Sequence, residues 1–90
     1  MDIQHQPENE RFVVLTDGHE AEMNYRREGD VLVITHTGVP SEIGGRGIAG
    51  DLVRAGFDYA RAHGLRVRPA CSYAVAWAQR HPDYADVLAS

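Results

Sequence analysis

The chain predicts an α+β protein on a mixed sheet: a three-stranded antiparallel meander, a crossover helix, a fourth strand parallel to the third, and a C-terminal helix. Three observations predict it. Up to residue 36, apolar residues alternate or run continuously between short turn signals, as strands do. From Gly47 the apolar period lengthens to helical spacing, on to Gly64. Beyond Gly64, a short alternating segment precedes a second helical pattern, so a strand returns after a crossover.

Residues 1–10 are polar, contain Pro7, and read as a flexible start before a single domain over 11–90. "RFVVLT" is the first apolar run, and "DGH" at 17–19 is a turn signal. In "AEMNYRR", Ala21, Met23 and Tyr25 share one face, while Glu22, Asn24 and Arg26 share the other. "EGD" turns the chain again. "VLVITH", residues 31–36, is apolar on both faces, as in a central strand covered on both sides. The links are too short for crossovers, so these segments form hairpins. Ile48, Leu52, Gly56 and Ala60, widened by Val53 and Phe57, make the apolar stripe of a helix of about 16 residues, with Asp51, Arg54, Asp58 and Arg61 opposite. Gly64 suits a position past a helix C-terminus. "LRVRP" is a short strand, "SYAVAWAQR" a helix stopped by His81 and Pro82, and "DYADVL" a last helical turn.

Composition narrows the function classes. The net charge is −4, and all nine basic side chains are scattered arginines, so no basic stripe marks a nucleic-acid partner. The single cysteine, Cys71, excludes an intrachain disulfide. No run approaches the roughly 20 apolar residues of a membrane span, and the start lacks the charge and apolar run of a signal peptide. No membrane partner is expected, and the expected location is the cytoplasm. No close cluster of His, Cys and carboxylates suggests a metal.

The segment "THTGVPSEIGGRGIAGDLV", residues 35–53, joins the central strand to the helix. Gly44, Gly45 and Gly47 permit positive φ and close backbone approach. Helix-start N–H groups and the fork of Arg46 suit phosphate oxygens. The other reading is a flexible turn that merely starts a helix. The absence of lysine excludes a Walker A loop, and the dinucleotide fingerprint is missing. His36, ending the strand, is either structural or a proton acceptor near neutral pH. Cys71 precedes a helix N-terminus, which stabilises a thiolate; the alternative is a small buried apolar residue. The parallel pairing would bring both to one sheet edge, near the glycine turn. Trp77 reads as helix-to-sheet packing, with Tyr73, Arg80, His81 and Tyr84 as possible borders of the site. His5, His19 and His63 read as exposed.

At these residues the chain resembles the GNAT acetyltransferase superfamily, whose signature is Arg or Gln, two residues, Gly, one residue, then Gly or Ala. "GGRGIA" at 44–49 matches at Gly47 and Ala49, with Gly44 in place of the Arg or Gln. "HTGVP", "GGRGIAGDLV", "RPACSYAVAW" and "RHPDY" are similar, in that order, to the short YjdJ-like subgroup, over residues 12–88. The resemblance implies a minimal fold that binds acetyl-CoA. Thr37, Gly38 and Val39 would run beside the pantetheine arm. Gly44, Gly45, Arg46, Gly47, Ile48 and Ala49 would seat the pyrophosphate, and Tyr73 would line the mouth. It also implies N-acetyl transfer to a small-molecule or peptide amine. Either His36 acts as base for direct attack, the preferred route, or Cys71 is acetylated first with His36 as its base. Subgroup members often carry glutamate where this chain has Gly38, which puts the base chemistry on His36. Two other readings stand: a non-catalytic CoA or acyl-CoA module, favoured by the missing side chains at 38 and 44, and a small structural or regulatory domain. The acceptor and the oligomeric state are left open.

Overall fold

The computed structural model describes residues 2–89. A sheet of order β1-β2-β3-β4-β5 is formed by β1 (Ile3–Gln6), β2 (Arg11–Thr16), β3 (His19–Glu28), β4 (Val31–Gly38) and β5 (Arg66–Pro69). The first four strands are antiparallel neighbours, and β5 pairs parallel to β4. Helix α1 (Ile48–Ala62) makes the crossover, and α2 (Ser72–Arg80) follows β5. Short 3-10 segments lie at Pro7–Asn9, Ser41–Ile43 and Pro82–Val87. No described helix is long and apolar enough to cross a membrane.

The predicted α+β order is observed, with one strand added. Residues 3–6, expected within a flexible start, pair with β2 from Ile3↔Val14 to Gln6↔Arg11. The period is 2, but the second inward position is His5 rather than an aliphatic residue. Its ring stacks on Phe12 at 4.1 Å and meets Tyr59 edge-on at 4.5 Å. Its Nε2 bonds to the Tyr25 hydroxyl at 2.6 Å. His5 is therefore half-buried in an aromatic cluster, not exposed as the sequence suggests, and its pKa is lowered chiefly by burial. His19 is also half-buried, whereas His63 is exposed beside Tyr59.

The turns follow from backbone chemistry. Asp17 and Gly18 take φ of 51° and 75°, the paired positive values of a two-residue hairpin loop. Gly64, at φ 69°, ends α1, and Leu65 N–H closes back on the Ala60 carbonyl at 2.8 Å.

One face of the sheet carries both helices. The α1 residues Ile48, Leu52, Val53, Gly56, Phe57 and Ala60 are buried, the stripe read from the sequence. They pack with Met23, Tyr25, Leu32, Ile34, Val67 and Trp77 in one core. Phe57 lies 5.0 Å from the Trp77 ring and 5.6 Å from Tyr84, so α1, α2 and the C-terminal segment share that face. Central β4 was expected to be covered on both sides. No helix of the described residues covers its second face: Val33 is buried there outside the main core, flanked by its pairing partners Arg26 and Arg68. Long stems beside a single valine provide the shielding. At the β5 edge, Leu88 bridges to Val67, and Ala89 N–H donates to the Val67 carbonyl at 2.8 Å.

Candidate functional site

Two irregularities in β4 create the site. The first is a bulge: Tyr25 pairs with Ile34 and Asn24 with His36, so Thr35 has no partner of its own. The extra residue flips the alternation. Thr37 then pairs with Met23 on the helix side, while His36 pairs with Asn24 on the open face, where its ring is exposed. The second is a divergence. The β4–β5 ladder ends at Ile34↔Pro69, with Ala70 N–H on the Ile34 carbonyl at 2.8 Å. Beyond it β4 runs on to Gly38, paired only with β3, while the other chain turns into α2. The β5-facing edge around Thr37, Gly38 and Val39 is left without a strand partner among the described residues.

That open edge leads directly to the glycine turn. Pro40 starts a 3-10 turn over Ser41–Ile43 that anchors Ile43, fully buried, in the core. Gly45 and Gly47 both take φ of 76°, which demands glycine, and a side chain at either would meet nothing within 4 Å. Gly44 differs: its φ of −69° is open to any residue, though a Cβ would lie 3.3 Å from the Ser41 carbonyl oxygen. Gly47 caps α1 with no side-chain bond, and the first return bond in the helix is Asp51 N–H to the Gly47 carbonyl. Among the described residues, the N–H groups of Gly45, Arg46, Gly47, Ile48, Ala49 and Gly50 have no protein acceptor. Consecutive donors at the positive end of a helix form an anion seat. Arg46 stands in the same turn, its Nη1 2.6 Å from Asp17 Oδ2.

The parallel β4–β5 ladder ends two residues before His36 and Cys71, at Ile34↔Pro69. It does not join them. His36 makes no side-chain hydrogen bond among the described residues. Its ring lies against the bare backbone of Gly38, where a Cβ would stand 3.0 Å from Nε2. Cys71 is half-buried and caps α2, its Sγ accepting the Ala74 N–H at 3.4 Å. Tyr73, in the first turn of α2, is half-buried, and its hydroxyl lies 3.3 Å from where a Cβ of Gly50 would be. The first turns of α1 and α2 thus meet beside the donor-rich turn.

The other candidate borders sit elsewhere. Tyr84 is buried and donates to Asp58 Oδ1 at 2.6 Å, a bond that holds its phenol above the usual pKa range, while Arg54 Nη1 donates to it at 3.2 Å. His81 stacks on Trp77 at 3.9 Å with Nδ1 2.7 Å from the Trp77 carbonyl, and ends α2. Tyr84 thus fastens the C-terminal segment to α1, while His81 packs on α2. Sequence reasoning missed Asp17, whose contact with Arg46 spans 29 positions and has no local signal.

Two comparisons bear on this arrangement. The family model described as GCN5-related N-acetyl-transferase matches residues 11–87, from the start of β2 to the end of the last 3-10 segment. A GCN5-like protein from Staphylococcus aureus, solved by NMR in solution, is 29% identical. It aligns over 99% of this chain and 88% of that one, with a TM-score of 0.78. A match over most of the chain, on a fold whose central strand opens beside a glycine turn, identifies this chain as a member of the GCN5-related N-acetyltransferase family.

Proposed function

We propose that this protein is an acetyl-CoA-dependent N-acetyltransferase of the short YjdJ-like type, moving acetyl to a small-molecule or peptide amine. The observation that carries the reading is the continuity of two backbone features. Among the described residues, the β5-facing edge at Thr37–Val39, where β4 ends, has no strand partner and runs into consecutive N–H groups at Gly45–Gly50 that lack protein acceptors. The first suits an amide-bearing arm and the second a pyrophosphate, so the residues present fit the cofactor. Gly45 and Gly47 keep side chains off the turn, and Tyr73 borders it from α2. Bound acetyl-CoA supplies an activated thioester. His36 would take the proton that the attacking amine nitrogen loses, and the CoA thiolate would be the leaving group. Exposure on the uncovered face gives His36 access to an acceptor from solvent.

Transfer through Cys71 is the second reading, supported by its place at a helix N-terminus. Direct attack is preferred because the thiol faces the Ala74 N–H and has no hydrogen bond to His36. Intact-mass measurements during incubation with acetyl-CoA and an amine panel test the proposal. Acetylated amine is expected without prior acetyl-protein. Acetylated Cys71 formed and consumed before product would favour the second route. CoA binding with no transfer to any amine would leave a binding module.

A further inference from the structure

The β2–β3 turn touches the glycine turn through one ion pair, Asp17 Oδ2 to Arg46 Nη1 at 2.6 Å. Both side chains are about half exposed, at 62% and 48%, so the pair adds little to fold stability. The hairpin loop does not need the charge either. Asp17 sits at positive φ before Gly18, where asparagine serves equally well. The pair matters for Arg46, the only arginine between residues 28 and 53 and hence the only full cation of β4, the glycine turn and the first turn of α1.

We propose that Asp17 sets the affinity of the glycine turn for its anionic ligand, by competing with phosphate oxygens for the Arg46 guanidinium. The inference rests on the cofactor reading above. A guanidinium already bonded to a carboxylate brings no net positive charge to an incoming phosphate. The phosphate must displace Asp17 or share Arg46 with it, and in either case meets a like charge at close range. Asp17 also tethers a flexible side chain, which would help binding. Asparagine separates the two effects, because its carbonyl can still accept the Arg46 bond while the charge is gone.

The test is calorimetric titration with CoA of the wild type, Asp17→Asn, Arg46→Gln and the double variant. Asp17→Asn is expected to bind CoA about three- to tenfold more tightly at low ionic strength, with the gain shrinking toward about 0.5 M salt. The gain should vanish in the Arg46→Gln background, as a coupled pair requires. Equal or weaker binding by Asp17→Asn, or a gain that persists without Arg46, overturns the inference while leaving the cofactor reading intact. Failure of every protein, wild type included, to bind CoA at millimolar concentration overturns both.

Discussion

At the scale of single residues, His36 and Cys71 separate into different kinds of group. His36 is exposed, unbonded among the described residues, and seated against Gly38. Cys71 is half-buried and already engaged as a helix cap. A positioned base contributes about 10²- to 10⁴-fold, so His36→Ala is expected to lower kcat by at least about 10²-fold with CoA binding unchanged. Cys71→Ser removes the thiol but keeps a good capping side chain, so activity within about threefold of wild type is expected, with no loss of Tm. Steady-state kinetics on any amine that is turned over, with melting curves, check both. The sequence made these two residues legible because each follows an apolar or alternating run where the period breaks, although β4 runs on past His36 to Gly38 and Cys71 caps α2 rather than ending β5. It did not show that a bulge at Thr35 turns His36 to the open face, since a bulge depends on pairing with β3.

At the scale of elements, the crossover helix was the most legible part, because a 3.6 period over fifteen residues leaves little choice of face. Its glycines have unlike roles. A Cβ at Gly56 would lie 2.8 Å from Met23 Cε, in a core where Met23 is fully buried. Overpacking costs about 1–3 kcal/mol and the alanine gains about 1 kcal/mol of helix propensity. Gly56→Ala should therefore destabilise by about 1 kcal/mol, lowering Tm by about 4–8 °C. At Gly50 the nearest atom is the hydroxyl of half-exposed Tyr73 at 3.3 Å, which can shift. Gly50→Ala should be neutral or slightly stabilising, and calorimetric melting of the two variants separates them. Strand β1 was illegible for a chemical reason. "IQHQ" has one aliphatic residue, and its inward histidine is recognisable only once Phe12, Tyr25 and Tyr59 surround it.

At the scale of the whole molecule, the same histidine links stability to pH. Burial depresses the His5 pKa, opposed by the Glu8 charge and assisted by His63. Below about pH 6.5 the unfolded chain binds a proton that the folded chain resists. The His5 contribution is thus complete above that pH and lost as pH falls through the depressed folded value. Denaturant melts from pH 7.5 to about 5 should show stability falling with acid, and His5→Phe, which keeps the stacking, should flatten that slope. A slope unchanged by the variant would assign the effect to other groups. Contacts of this kind, like Tyr84 with Asp58 across 26 positions, join segments only after folding and leave no periodic trace. What periodicity did predict was the order of elements and the place where strand, turn and helix meet, which is the place where the donor groups gather.

The central claim is that the open β4 edge and the glycine turn together form one cofactor seat. Backbone 1H–15N NMR during a CoA titration tests it most directly. The account predicts saturable shifts concentrated at the amides of Thr37–Val39 and Gly45–Gly50, with smaller changes at Tyr73. Shifts centred elsewhere on the sheet, or none at millimolar CoA, would contradict it.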